Sequence, residues 1–355
     1  MSLLIDSTAP IGAEDVLSFV QEQPIPSNNM LTQLFPREDQ DTDSIDLSTL
    51  TVTNRTLQFR NWDGSFAPVA RDTAKVGRVK LIPMGGFREE GEWERRQIEH
   101  LATAGTNIAR LQTAIYNDLE QLTAYAYNRL ELAWGDVLTD GVLTLNENGV
   151  VQTLDFGVPS GNITTPSGAL WSNHSSSVPL TDMLAWRDAW VAINGTLPGR
   201  ILTSMEVASD LMQNTQLINA IKGAQTGATY VSLPEINAFI AGFGLPPIEM
   251  PNPGMTGGSI YNSNFDVDGT STRVLAANKF LFLPADPGEV GFTAWGVPTT
   301  VYELNAKNVQ VNMAQGIVGM LIREDNPPFT KHAYVDAVVM PVIKDGRKLF
   351  VATVR

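Results

Sequence analysis

The chain has 355 residues, with 24 Lys and Arg against 38 Asp and Glu, and 0 cysteines. A formal net charge of -14 argues against a protein that grips nucleic acid, because phosphate binding needs clustered cations. The missing cysteines exclude disulfides, thiolate catalysis, iron–sulfur clusters and cysteine-ligated zinc.

Two packed units with extensions are expected at this length. No apolar run approaches the ~18 residues of a membrane span, and Met1 to Pro10 lacks the pattern of a secretory signal. The expectation is a folded, soluble protein that is not exported. The Asn-X-Ser/Thr triplets at Asn54, Asn162, Asn173 and Asn194 are read as chance occurrences.

Residues 1–46 are polar and interrupted, from Gln23-Pro24-Ile25-Pro26 to Phe35-Pro36-Arg37-Glu38-Asp39. Too few apolar residues stand together for a core, so the segment is predicted to be an arm that orders only against something else, with Met30–Leu34 as an anchor point. From Asp46 the apolar residues alternate (Leu47, Leu50, Val52, Leu57, Phe59, then Val76, Val79, Leu81), and Trp62-Asp63-Gly64-Ser65 supplies turn chemistry between them. This predicts a two-stranded excursion over 47–87, ended by Gly85-Gly86. Two strands with one apolar face and no sheet of their own are marginal in water, so the ribbon should lie on another surface.

Apolar or small residues three or four apart, from Ile98 through Leu111, Ile115, Leu119 and Leu122 to Ala133, predict one long helix over 89–134. At ~1.5 Å per residue, about forty helical residues would reach about 60 Å, more than the core of one compact domain covers. Gly135 and Asp140-Gly141 are predicted to close it. A hairpin follows, Val142–Leu145 and Val150–Phe156, with Asn148-Gly149 at the turn. Residues 157–178 read as a Gly-, Ser- and Pro-rich linker.

A second unit is predicted from a capped helix over Thr181–Ile193. Next come a strand at Arg200–Thr203, short helices at Met205–Leu211, Asn214–Lys222 and Pro234–Phe243, and strands near Pro247–Met250, Ser259–Tyr261, Thr272–Leu275 and Lys279–Pro284. The glycine-rich Pro251–Gly258 reads as a tip. The tail alternates from Tyr334 to Ile343, turns at Lys344-Asp345-Gly346-Arg347 and continues through Leu349–Val354, predicting a terminal hairpin packed on the long helix.

The sharpest enzyme-like string is Asp266-Val267-Asp268-Gly269-Thr270, which resembles the aspartate motif of haloacid-dehalogenase phosphatases. That chemistry needs a buried strand in front of the first aspartate, and Tyr261-Asn262-Ser263-Asn264-Phe265 is not one; turn chemistry is the preferred reading. His100, His174 and His332 are far apart in sequence and show no metal-ligand spacing. Gly242-Phe243-Gly244 lacks the third glycine of a dinucleotide site, and Ser175–Ser177 sit in the predicted linker. No catalytic, cofactor or metal residue is assigned. The aromatic residues of the long helix, Trp93, Tyr116, Tyr125, Tyr127 and Trp134, fit inter-subunit anchors or ordinary core equally well.

Short strings recur in a familiar order: Leu34-Phe35-Pro36; Glu131-Leu132-Ala133 with Asp136-Val137-Leu138-Thr139-Asp140-Gly141; Leu154-Asp155-Phe156-Gly157; Trp171, Asp182 and Trp186; and Phe282-Leu283-Pro284 before Trp295-Gly296. With the order of elements they resemble the major capsid proteins of tailed bacteriophages, locally the lambda E-type family. The resemblance implies an α+β fold: an N-terminal arm (1–46), an extended β-hairpin loop (47–87), a peripheral domain with a spine helix (88–179), an axial α/β domain (180–300) and C-terminal peripheral strands (301–355).

It also implies a non-enzymatic subunit of an icosahedral shell around phage DNA, built from hexamers and pentamers in the host cytoplasm. Candidate assembly-interface residues are Trp62, Phe66, Gly85, Gly86, Trp93, Tyr116, Tyr127, Trp134 and Met255. Implied partners are further copies of the chain, a separate scaffolding protein, the portal protein and, as a further candidate, a decoration protein; double-stranded DNA is enclosed without sequence-specific binding, and neither membrane nor cofactor is involved. The acidic balance suits a container wall that does not hold its DNA. Lys75 and Lys80 read as solvated charges rather than cross-linking groups. Two alternatives are an encapsulin-like compartment and a metal-dependent phosphatase using Asp266 and Asp268.

Overall fold

The structure is a computed structural model that describes residues 2–3, 13–46, 78–91, 96, 108–249, 260–307, 309, 311, 314–323 and 330–355. The helices are α1 (Ala13–Glu22), α2 (Met30–Leu34), α3 (Ile108–Asp140), α4 (Pro179–Asn194), α5 (Met205–Gln213), α6 (Thr215–Lys222), α7 (Leu233–Ala241) and α8 (Thr299–Ala306).

The early strands are β1 (Ser2–Leu3), β2 (Arg37–Asp39), β3 (Ser44–Asp46), β4 (Arg78–Lys80), β5 (Pro83–Glu90), β6 (Val142–Glu147), β7 (Val150–Asp155) and β8 (Ile163–Thr164). Later come β9 (Arg200–Thr203), β10 (Asn264–Val267), β11 (Thr270–Arg273), β12 (Lys279–Leu283), β13 (Gly291–Gly296), β14 (Ile317–Arg323), β15 (Lys331–Ile343) and β16 (Phe350–Thr353).

Two sheets and one long helix organise these elements. The larger sheet has six strands in the order β1-β14-β15-β13-β2, with β5 also paired to β15. The 13-residue β15 is its trunk: β5 takes residues 331–338 and β13 takes 338–343, both antiparallel. Helix α3 crosses one face, where Leu122 approaches Gly86 of β5 and Leu119 approaches Gly319 of β14. Its 33 residues extend about 50 Å.

The smaller sheet runs β8-β16-β12-β9, and both of its faces are buried. Phe280, Phe282, Phe350 and Ala352 pack under α4–α7 with Trp171, Trp186 and Trp190. Leu281, Leu283, Leu349 and Val351, the alternate residues, join the core of the larger sheet and α3. Such a doubly covered strand reads as a continuous apolar run, which explains Lys279-Phe280-Leu281-Phe282-Leu283.

Several expectations are corrected. Glu89 and Glu90 belong to β5, so the helix does not start there, and it ends at Asp140 rather than Trp134. Gly135 lies within it, and glycine is required there because a Cβ would collide with the carbonyl of Val274, whose backbone crosses the helix at that point. Gly85 and Gly86 do not end a ribbon; they sit mid-strand opposite Asp336 and Val335.

The arm is not dependent on another molecule throughout. α1 buries Val16, Leu17 and Val20, and α2 buries Met30 and Leu31 against the chain's own body, so the Met30–Leu34 anchor is real. Residues 157–178 are no loose linker, since Asn162 and Trp171 are fully buried. α4 starts at Pro179 with no side-chain cap; the fixed φ of proline suits that first position.

Pro247–Met250 forms no strand over its described residues, and near Ser259–Tyr261 only Ile260 makes an isolated bridge to Thr203. The tail is not a hairpin, because β15 lies in one sheet and β16 in the other. Between them Lys344 and Asp345 both donate to the carbonyl of Val290, which swings the chain across.

Candidate assembly surface

Of the nine residues expected at assembly contacts, Trp62, Phe66, Trp93 and Met255 lie outside the described residues, as do His100 and Lys75. Tyr116, Tyr127 and Trp134 are 11 and 7 residues apart on α3, close to three and two helical turns, so they share the face turned to the sheet. There Tyr116 packs on Phe19 (4.5 Å between centroids) and Tyr127 on Trp295 (6.3 Å). Burial, the larger cause in each case, pushes both phenols above their ordinary value.

Trp134 is fully buried, stacks on Phe35 at 3.8 Å and donates from Nε1 to Thr293 Oγ1 at 3.0 Å. It is core to its own chain and offers nothing to a neighbour. The outward aromatic of α3 is Tyr125, 53% exposed, with the Arg88 guanidinium 5.7 Å from its ring centroid. Arg88 also pairs with Asp118 at 2.8 Å.

One stripe of α3 holds the N-terminal segment. Asn128 accepts from Asn29 Nδ2 at 3.1 Å. One turn on, the carboxylate of Glu131 accepts from the backbone N–H groups of Leu31 and Thr32 and from Thr32 Oγ1, each at 2.7 Å, and from the Tyr261 hydroxyl at 2.5 Å. No described cation is paired with this fully buried carboxylate. Burial pushes its pKa up, while the four donors pull it back only in part. Tyr261 is pushed far above the usual phenol range, by burial first and then by the Glu131 charge. Arm, helix and second unit therefore meet on one acidic side chain. Glu131 stands in one of the motif strings, but helical periodicity gives a lone Glu no partner, so its junction role was not legible in the sequence.

Other candidates resolve into structure. Asp266 and Asp268 lie at an exposed hairpin tip, where Asp268 (φ 50°) and Gly269 (φ 80°) make the turn and Asp266 Oδ1 accepts from Gly269 N at 2.7 Å. This is the turn chemistry expected of the string. His174 Nε2 contacts Asp210 Oδ1 at 2.9 Å, and Arg355 contacts the other oxygen at 3.3 Å, so the buried Asp210 tethers the C-terminus. His332 lies 3.0 Å from the Thr330 hydroxyl. Asp182 accepts from Trp171 Nε1 and Ser167. Among the described residues no group of three or more acidic or histidine side chains could hold a metal ion, and no helix is long and apolar enough to cross a membrane.

The surface that stays open is strand β5. Pro83, Gly85, Phe87 and Glu89 are all exposed, Phe87 at 56%, and among the described residues β5 pairs only with β15. Phe87 stacks on Tyr334 at 5.3 Å.

A family model described as phage major capsid protein E matches residues 13–332. The chain belongs to that family. It is a head-shell subunit, and self-assembly into the shell that encloses phage DNA is its function. Its place is the virion capsid.

Among solved structures it is similar to a putative capsid protein of a prophage of E. coli CFT073, with 15% identity, a TM-score of 0.64, and 97% of this chain and 99% of that one covered. It is also similar to a phage-related protein from Bordetella bronchiseptica, with 10% identity, a TM-score of 0.53, and 99% and 97% covered. These likenesses support the α+β fold of tailed-phage capsid proteins. No curated protein matches.

Proposed function

We propose that the subunit builds an icosahedral shell from hexamers and pentamers, that residues 47–77 reach over a neighbouring copy, and that the subunit catalyses nothing. The observation that carries this reading is the clamp at the base of that segment. β3 and β4 pair antiparallel with Asp46 opposite Arg78, Leu81 N donates to Asp43 O, and Ile45 and Val79 are buried in the main core. A long internal stretch thus leaves and returns at one fixed point, which suits an excursion whose far end serves another molecule.

A separate scaffolding protein is one expected partner in assembly. The portal protein and a decoration protein complete the partners, and assembly takes place in the host cytoplasm. The acidic wall, carrying -14 overall, is suited to DNA that must slide past it.

Replacement of residues 47–77 by a short Gly-Ser linker tests the reading. The variant is expected to stay folded by circular dichroism and soluble, yet give no closed particles by negative-stain microscopy when expressed with the head genes of its phage. Normal particles from it would overturn the reading.

A further inference from the structure

The larger sheet ends on one side in an eight-residue strand, β5, while its other outer strands, β1 and β2, have two and three residues. A long open edge is a template for another strand, and folded proteins commonly shorten, charge or cover such edges. Here the guards among the described side chains sit only at the two ends: Pro83 at the start, and Arg88 and Glu89 at the finish. Met84 to Phe87 has none.

Among the described residues the ladder shows which backbone groups are left without a strand partner. Val339 N donates to Ile82 O at 3.3 Å, one step beyond the register pair Val338 and Pro83. Hydrogen-bonded pairs alternate along an antiparallel ladder. Met84, Gly86 and Arg88 therefore turn their N–H and C=O toward β15, and Pro83, Gly85, Phe87 and Glu89 turn theirs outward. The outward row contains three donors, from Gly85, Phe87 and Glu89, and Pro83 fills the one position where no donor is needed.

Beside this row the Phe87 ring, 56% exposed and stacked on Tyr334 at 5.3 Å, forms an apolar platform that an added strand would cover.

We propose that the outward edge of β5, from Gly85 to Glu89, accepts an extended strand from a second copy of this chain. The proposal rests on the shell reading, because only a protein that works in many copies presents such an edge to itself at high local concentration. The added strand would extend the six-stranded sheet across the subunit boundary, with backbone hydrogen bonds supplying the register.

Hydrogen exchange over residues 83–90, in assembled shells and in free subunits, is the direct test. The Gly85, Phe87 and Glu89 amides are expected to slow at least tenfold on assembly, while Gly86 and Arg88 are already slow in the free subunit. Equal rates in shells and subunits would overturn the proposal. So would full protection in the free subunit, which would place a segment of the same chain on the edge.

A pair of variants separates backbone from side chain. Phe87→Pro removes one outward N–H and no ladder bond, a change that edge strands tolerate; it should leave a folded subunit that fails to close shells. Phe87→Ala should still assemble. Wild-type shell yield from Phe87→Pro, or equal failure of Phe87→Ala, would overturn strand addition and leave the shell reading standing. A wild-type chain that never assembles would overturn both.

Discussion

The smaller sheet gathers its partners mainly from residues 163–283 and closes a core of large aromatic rings. Trp171, Trp186, Phe280 and Phe350 lie within about 5–6 Å of one another along successive contacts. The larger sheet is stitched from segments near residues 2, 38, 87, 294, 320 and 337, keeps one long edge open among the described residues, and places a buried carboxylate where the arm meets the helix. A unit built largely from near neighbours closes mainly on apolar area, with the buried Asp182 serving a local contact and Asp210 tethering the C-terminus. A unit assembled from distant segments must fix their relative positions, and directional hydrogen bonds do this where shape alone would allow sliding.

That contrast can be broken at its strongest point first. Phe280 is fully buried between three aromatic neighbours, so Phe280→Ala should cost about 3–5 kcal/mol. A urea melt should show this as a large fall in the midpoint. A loss below about 1 kcal/mol would mean that the aromatic core relaxes freely and that the contrast between the sheets is false.

Glu131 is the corresponding point in the larger unit. Glu131→Ala leaves buried donors on Leu31, Thr32 and Tyr261 without an acceptor and should cost about 2–3 kcal/mol, with faster proteolysis within residues 13–46 than elsewhere. Uniform destabilisation without release of that segment would break the idea of a junction.

The pH dependence sharpens the same point. The native pKa of Glu131 lies above its unfolded value of ~4.3, so the folded state holds the proton more tightly. The site contributes most to stability below that value, and the contribution is lost as pH rises through the native pKa. The difference in unfolding free energy between wild type and Glu131→Gln should therefore shift against the wild type as pH rises from 4 toward neutrality. A pH-independent difference would contradict it.

The smallest effect belongs to Glu206, held by Arg273 in a two-point contact at 2.6 and 2.8 Å. Its pKa is lowered to about 2, chiefly by that guanidinium. Here the sign reverses: stability is present above ~4.3 and lost as pH falls toward about 2. Because the pair is a third exposed on the Glu206 side, Arg273→Ala should cost no more than about 1 kcal/mol near neutral pH, and less in acid. An acid-insensitive loss would place the role of Arg273 in packing rather than charge.

Local chemistry was legible wherever one residue type decides one conformation. Asn148 and Gly149 adopt positive φ, 47° and 80°, at the expected hairpin turn. Ser204 and Asn214 cap α5 and α6 through their side-chain oxygens, close to where the helices were placed. Arg200–Thr203 and Lys279–Leu283 are strands because their apolar runs are too short for helices and are buried on both sides.

The ordered motif strings pointed to the capsid family because they sit at helix ends, turns and buried aromatic positions that the fold requires. What the tertiary structure alone decided was partnership. Periodicity says which face of a segment is apolar but not what covers it, so Leu349–Val354 could be read as the partner of β15 until the second sheet was seen to hold it. For the same reason Trp134 fitted core and interface equally, and the edge of β5 was hidden where the expected excursion over 47–87 gave way to the expected helix.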